Sequence, residues 1–222
     1  MRDWIDFVTL DGIQYVRTTP APGRELRWED LGPVHATVRF KLHSNVHDVS
    51  YRPGDGDAAF LEAGTRLYRV RGFRPEFRLA ACREHDLILY EADTNPRARV
   101  GQDLLDLGGK VRYIGVNSGE DGMTELGAVR GREASRLVEM VLKAPVAQNR
   151  RSNARSEQYF IAFHLVDGTV VSRAYWPGTG ELWRGIWLPG EFARVVERAA
   201  RARGKHKRVE PRLVPPVVPD AE

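Results

Sequence analysis

The chain has 222 residues, of which 42% are hydrophobic and 29% charged, with a formal net charge of +4. That length suffices for one large domain or two small ones with a buried core, and the composition is typical of a soluble globular protein. A single cysteine, Cys82, excludes an internal disulfide, and no run approaches the ~20 apolar residues that span a bilayer.

The first half of the chain is predicted to form β-strands. A hairpin is expected over residues 6–16, because Asp11-Gly12 is a preferred two-residue turn between apolar strands. Val34–Leu42 alternates apolar and polar residues, which predicts one continuous strand with one buried face and one solvent-exposed face. Further strands are predicted at 66–71, 76–82 and 86–91, followed by a short helix at 102–107.

The segment 54–80 is rich in turns and short apolar runs. Its glycines and Pro75 occupy positions where the backbone bends, and its apolar residues are expected to cover a sheet. The side chains of Asp55 and Asp57 are predicted to bond nearby backbone N–H groups in a turn. A calcium loop would need more carboxylates at fixed spacing than this segment provides.

A second part of the chain begins near residue 110. Strands are predicted at 111–116 and 123–129, and an amphipathic helix at 132–143, where apolar residues recur at helical spacing. Strands at 159–166 and 169–176 flank Asp167-Gly168, and a third strand is expected at 181–188. The last helix is expected to begin at Pro189-Gly190.

The register of the hairpin at 159–176 decides which side chains share a face. A two-residue turn at Asp167-Gly168 would pair Val166 with Thr169. Trp176 would then lie on the face of Tyr159 and Ile161, opposite to that of His164.

These elements predict an α+β protein that is mostly antiparallel β with two or three helices. Three parts are expected: a β-rich part at 1–108, a β-sheet with two helices at 109–200, and a disordered basic and proline-rich tail at 201–222. The first two parts are expected either as two β-rich subdomains or as halves of one shared core.

Aromatic residues concentrate around the last hairpin and are the best candidates for ligand binding. Such side chains on a sheet can form a platform for a sugar or an extended peptide, although burial in the core is the commoner role of large aromatics. The candidates are Trp176, Trp183, Trp187 and Tyr175.

Three residues offer a weak metal-binding pattern. His43 and His47 are four residues apart and Asp48 follows directly. Because the segment is predicted as strand and loop, the spacing does not place the two imidazoles on one helix face, and hydrogen-bonding surface histidines are favoured. Neither a metal nor any other cofactor is therefore predicted.

Carboxylates suitable for acid–base chemistry occur at Glu120-Asp121 and at Asp93, Asp103 and Asp106, where solvated surface acids are the default interpretation. A glycan hydrolase would need two of them close together. The sequence contains no Gly-x-Ser-x-Gly, His-Glu-x-x-His, Cys-x-x-Cys or phosphate-loop motif, which lowers the expectation of an enzyme without excluding one.

Basic residues are concentrated near the C-terminus. Arg194–Arg208 contains seven Lys or Arg residues and one acid, so the positive charge belongs to this segment. Such a segment could contact nucleic acid or an anionic surface. A solvated tail is favoured over a nucleic-acid site, whose candidate residues would be Arg201, Arg203, Lys205, Lys207 and Arg208.

The turn-rich segment also resembles a motif of a family of uncharacterised Gram-positive bacterial proteins. Residues 7–91 carry the resemblance, which implies no known activity and a protein that is often exported or lipid-anchored. The residues concerned are Phe7-Val8, Gly12-Ile13-Gln14-Tyr15, Gly56-Asp57-Ala58-Ala59-Phe60-Leu61, Gly64-Thr65, Leu67-Tyr68, Gly72-Phe73 and Phe77-Arg78-Leu79-Ala80.

The leading hypothesis for function is a non-catalytic binding or interaction protein with an unidentified ligand or protein partner, in keeping with a cell-envelope role. The alternatives are a hydrolase that acts on glycans or peptides through paired carboxylates, and a nucleic-acid-associated regulator. A cytoplasmic location is expected because residues 1–6 lack the apolar core of a signal peptide. The resemblance implies the cell envelope or an extracellular location instead, if a leader is missing from this chain.

Overall fold

The computed structural model describes residues 4–18, 23–48, 50–147 and 157–202. These residues form two mainly antiparallel sheets and two α-helices, so the predicted α+β class is confirmed. Within the described ranges, neither helix is long and apolar enough to cross a membrane.

The first sheet has eight strands and is built entirely from residues 7–94. Its strand order is β3-β6-β7-β8-β2-β1-β5-β4, and all pairs are antiparallel except β4 with β5. The strands are β1 (Phe7–Leu10), β2 (Ile13–Arg17), β3 (Leu31–Thr37), β4 (Phe40–Lys41), β5 (Asp57–Ala58), β6 (Arg66–Val70), β7 (Arg78–Arg83) and β8 (Asp86–Thr94).

The first hairpin forms as predicted. Leu10 pairs with Ile13 across a two-residue turn, in which Asp11 and Gly12 have φ angles of +50° and +73°. Two positive φ angles characterise the turn whose twist matches that of paired strands, and Asp-Gly adopts them at low cost.

The prediction of one strand over residues 34–42 is wrong. The chain leaves β6 after Thr37. The N–H of Val38 still bonds to Thr65 O, next to β6, but the N–H of Arg39 bonds to Gly56 O, next to β5. Irregular pairing within β3 also breaks the alternation, so that Val34 and Phe40 are 46% and 38% exposed while Val38 and Leu42 are buried. The segment therefore runs from β3 at one edge of the sheet to β4 at the other edge.

The turn at residues 54–57 is held by aspartate side chains, as predicted. Asp55 Oδ1 accepts a hydrogen bond from Gly12 N at 3.0 Å. Asp57, which is buried, accepts from Gly54 N at 2.7 Å and from the Tyr51 hydroxyl at 2.8 Å. This network fixes the entrance to β5.

We expect Asp57→Ala to destabilise the protein by about 2 kcal/mol, because hydrogen bonds to a charged group are lost and Gly54 N–H is left without its acceptor. Urea unfolding measures the loss. Asp48→Ala is the matched control, since Asp48 makes a similar turn with Ser50 but is exposed. A midpoint shift in the control as large as that in Asp57→Ala would contradict the assignment.

The second sheet has six strands in the order β10-β9-β11-β12-β13-β14. Helices α1 (Gly131–Lys143) and α2 (Gly190–Ala202) cover one of its faces and enclose the largest apolar core, which also includes Phe77 from the first part of the chain. The strands are β9 (Val111–Ser118), β10 (Glu125–Arg130), β11 (Tyr159–Leu165), β12 (Val170–Trp176), β13 (Glu181–Leu182) and β14 (Ile186–Trp187).

The predicted register of the β11–β12 hairpin is wrong by one residue. His164 pairs with Val170, and Leu165 N–H bonds to Thr169 O, so the loop has three residues and ends in Gly168 at φ +87°. A three-residue loop that ends in a left-handed glycine is a common alternative to the two-residue turn. In the observed register, Trp176 lies on the face that carries His164.

Two other predictions need smaller corrections. The expected strand over 181–188 is a small hairpin, because Arg184 and Gly185 have positive φ angles and turn β13 back into β14. The helix expected at 102–107 is reduced to one 3-10 turn at Gly101–Asp103.

A buried charge network joins the two sheets. Arg78 of β7 donates through Nε to Glu91 Oε1 at 2.8 Å, and Arg173 of β12 donates through Nη1 to Glu91 Oε2 at 2.9 Å. Arg78 also donates to Thr169 Oγ1 at 2.9 Å, and its guanidinium lies 4.5 Å from the centre of the Phe73 ring. This network links the two sheets beside a gap between them.

Candidate functional site

A cleft of about 790 Å³ lies between the two sheets, beside the buried charge network. One side is the face of β9, β11 and β12 that the helices leave uncovered. The other side is formed by Val16–Thr18 of the first sheet and by Glu91–Asp93 of β8. The volume lies within the range of small-molecule pockets.

The face of the second sheet is organised in rows that run across its strands. Because paired residues of neighbouring antiparallel strands point to the same side, each row can be identified from the register. An upper row is Arg130, Tyr113, His164 and Val170, a middle row is Ala128, Gly115, Ala162 and Ser172, and a lower row is Glu125, Asn117, Phe160 and Ala174.

The middle row consists only of small residues, and larger side chains stand on both sides of it. This arrangement makes a trough across four strands, which at a strand spacing of about 4.8 Å is about 14 Å long. Ala162 and Ser172 of the middle row line the cleft, as do His164 and Phe160 of the two flanking rows. The trough is the floor of the cleft.

A β-bulge directs Glu125 into this trough. Glu125 pairs with Asn117, whereas Gly127 pairs with Val116, so Leu126 is the extra residue. Leu126 packs against the core on the helix side of the sheet. The bulge thereby aims the carboxylate at the cleft, which is a recurrent function of such irregularities.

Three polar atoms converge above Gly115. A β-carbon at this position would lie 3.2 Å from Glu125 Oε2, 3.2 Å from His164 Nε2 and 3.3 Å from Asn117 Oδ1. Asn117 is buried, and its Nδ2 donates to Gly122 O at 2.9 Å, whereas its Oδ1 has no hydrogen-bond partner. The missing side chain of Gly115 leaves room for this convergence.

His164 is held as a neutral ring. It stacks on Tyr113 with ring centres 4.0 Å apart, and the Arg130 guanidinium lies 4.1 Å from the centre of the Tyr113 ring. Burial lowers the pKa of His164 and outweighs the charge of Glu125, which acts in the opposite direction. A ring nitrogen is therefore available as an acceptor near neutral pH.

Two of the four predicted aromatic residues line the cleft. Trp176 and Trp183 have ring centres 6.0 Å apart. Trp183 Nε1 donates to Asp93 Oδ1 at 3.0 Å, and Arg184 Nε donates to the same atom at 2.9 Å. Trp183 remains 38% exposed and offers apolar area at the cleft.

The other two predicted aromatics lie elsewhere. Tyr175 points to the helix side, where its ring is 5.0 Å from that of Phe192 and burial raises the pKa of its hydroxyl. Trp187 lies in β14 beside Leu188, where it lines a separate depression together with Arg136 and Lys143 of α1.

The weak metal candidates are not gathered into a site by the described parts of the chain. His43 packs against Phe60, with ring centres 5.0 Å apart, and Asp48 accepts hydrogen bonds from Ser50. The described ranges, which include His43, His47 and Asp48, contain no group of three His, Cys, Asp or Glu side chains suited to a metal ion.

The carboxylates considered for acid–base chemistry are dispersed. Asp93 and Asp121 line the cleft, whereas Asp103 accepts from Val100 N and Asp106 pairs with Lys110. Among the basic C-terminal candidates, Arg201 lies 3.3 Å from Glu197 on α2. The other four, Arg203, Lys205, Lys207 and Arg208, fall outside the described residues.

Asn117, Glu125 and His164 were not among the site residues predicted from the sequence. The small residues Ala128, Gly115, Ala162 and Ser172, each within a strand, were a local signal of a trough. Their grouping depends on the β11–β12 register and on the bulge at Leu126, and neither is encoded by a short motif.

Comparison of the chain with models of protein families, with curated proteins and with solved structures found no match in any of the three. Function is therefore inferred from the geometry and chemistry of the cleft.

Proposed function

We propose that this protein is a non-catalytic binding protein that holds a small organic ligand in the cleft between its sheets. The observation that carries the proposal is the trough, in which a row of small residues leaves an open floor between aromatic and polar side chains. Apolar area with a few placed polar groups is the usual composition of a small-molecule site.

The lining favours a ligand with a flat apolar part and several hydrogen-bonding groups. Trp183, Phe160 and Met123 offer apolar area, while Asn117, Gln158 and Ser172 offer neutral polar groups. Regular strands form most of the lining, and a site built on regular strands lowers the entropic cost of binding.

Two of the carboxylates that line the cleft, Glu91 and Asp121, are unsuited to the acid role in hydrolysis. A glycan hydrolase needs one carboxyl group that stays protonated. The charges of Arg78 and Arg173 overcome the effect of burial and lower the pKa of Glu91, and hydrogen bonds from Thr124 and Met123 lower that of Asp121. Both groups are thus ionised near neutral pH.

A screen with a blocked variant tests the proposal. Sugars, aromatic acids and amines are screened by ligand-observed NMR against the wild-type protein and against Ala162→Trp, whose indole would fill the trough. We expect saturable binders of the wild type to lose at least about tenfold in affinity in this variant, since they and the indole would need the same space.

Val166→Trp is the matched control, because it adds the same side chain at an exposed position of the β11–β12 loop. Its affinities should equal those of the wild type. Ala162→Leu provides a smaller obstruction if the tryptophan variant does not fold. Binders with unchanged affinity in folded Ala162 variants, or no saturable binder at all, would contradict the proposal.

A further inference from the structure

We propose that the three atoms above Gly115 form a subsite for the ammonium group of a ligand in the cleft. This inference rests on the proposed function and specifies the chemical class of the ligand, an organic amine. Its basis is the convergence of Glu125 Oε2, His164 Nε2 and Asn117 Oδ1, each 3.2–3.3 Å from a single point.

All three atoms can accept hydrogen bonds. A glutamate carboxylate is an acceptor only, the amide oxygen of Asn117 is fixed as an acceptor because Nδ2 donates to Gly122 O, and Nε2 of a neutral histidine accepts when the proton is on Nδ1. An ammonium group has three donors and no acceptor. The three N–H donors of an ammonium group therefore match the three acceptor atoms in number.

Asn117 provides an independent indication of a missing partner. The residue is 5% exposed, and its Oδ1 lacks a hydrogen-bond donor. A buried acceptor without a donor is costly, so such atoms in native structures call for an explanation. A bound donor above Gly115 supplies the partner.

The surroundings favour an organic cation over a metal ion. A transition-metal site is usually built from three or four His, Cys, Asp or Glu side chains, and here only two of these, together with one amide, converge. The ring of Phe160 adjoins the subsite in the neighbouring row, and aromatic rings attract cations. The Tyr113 ring is already covered by His164 and Arg130 and does not contribute.

Several arginines of the described residues lie in or near the cleft. Arg130 and Arg112 both act to lower the pKa of His164, and Glu125 acts to raise it. Arg173 is engaged with Glu91 at 2.9 Å, and Arg184 is engaged with Asp93. Glu125 Oε2 is the carboxylate oxygen of the subsite, so a bound ammonium group would lie next to a negative charge.

Benzylamine and benzyl alcohol, titrated at pH 7 and followed by amide chemical shifts, test the inference. Benzylamine should bind about tenfold more tightly than the neutral alcohol, since hydrogen bonds between charged groups are the stronger ones. The largest shifts should fall on residues 113–117, 125 and 160–164.

Two variants separate the subsite from the rest of the cleft. Glu125→Gln keeps the shape and removes the charge, and Gly115→Ala places a methyl group among the three acceptors. Each should remove the preference for benzylamine, whereas the control Glu120→Gln, in the exposed preceding loop, should keep it.

Equal affinity of the two probes, or an unchanged preference in both folded variants, would overturn the inference. So would displacement of benzylamine from these residues by zinc chloride. In each of these cases, other screened ligands that bind the wild type but not Ala162→Trp would still support the proposed function. Failure of the ammonium subsite is thus distinguishable from failure of the proposed function.

Discussion

Replacing Arg78 by methionine is expected to destabilise the protein by about 3–5 kcal/mol, because it leaves Glu91 buried with one of its two guanidinium partners missing. Arg78 is fully buried and contacts Glu91, Thr169 and the rings of Phe73 and Phe77. Methionine retains apolar contacts but no charge, so the loss reports chiefly on the network. Urea unfolding followed by fluorescence gives the value.

The matched control is Lys143→Met, which breaks the exposed pair with Glu139 on α1. Exposed pairs contribute little to stability, so the urea midpoint of this variant should not move measurably. Equal stability of Arg78→Met and the wild type would contradict a stabilising role of the network between the sheets.

The network also predicts a dependence on pH. The pKa of Glu91 lies below its ordinary value in the folded protein, because Arg78 and Arg173 outweigh the opposing effect of burial. Its contribution to stability is therefore present above the ordinary pKa of a glutamate and is lost as the pH falls through the folded value. Removal of Arg78 raises the folded pKa of Glu91, so the acid-induced loss should be smaller in Arg78→Met than in the wild type.

The second large effect is expected at Gly127, where an added methyl group would collide with helix α2. A β-carbon at this position would lie 2.0 Å from the carbonyl oxygen of Ala199 and 2.6 Å from its carbonyl carbon. Helix α2 must shift to make room, and with it Phe192 and Val196, which belong to the core. Gly127→Ala should therefore cost about 3 kcal/mol in unfolding free energy.

Gly178→Ala is the control for this substitution, since no atom lies within 4 Å of the added carbon. Its unfolding free energy should stay within about 0.5 kcal/mol of the wild type. A small loss in Gly127→Ala, similar to that of the control, would show that α2 does not pack directly on β10.

Local turn chemistry explains why part of the fold could be predicted from the sequence. Asp11-Gly12 adopts two positive φ angles, and its hairpin formed as expected. Asp167-Gly168 carries the same dipeptide, yet only its glycine forms the left-handed end of a three-residue loop. The dipeptide alone does not choose between these two turns, and the choice reverses every side chain of a strand relative to its partner.

The candidate site was less accessible to prediction because it depends on long-range pairing. Trp176 and Trp183 were predicted as ligand-binding residues and do line the cleft. Glu125 reaches the trough through a bulge, and the opposite side of the cleft comes from β2 and β8, far away in the chain. Such an arrangement follows from the packing of two sheets, for which no short motif exists.

Amide chemical-shift mapping of the ligands found in the screen tests whether the cleft between the sheets is the binding site. A ligand held in the cleft should give saturable shifts that cluster on the trough and its borders, at residues 113–117, 160–164, 170–176 and 183, and on Val16–Thr18 across the cleft. Saturable shifts that cluster on another surface, or ligands that leave all of these amides unmoved, would contradict it.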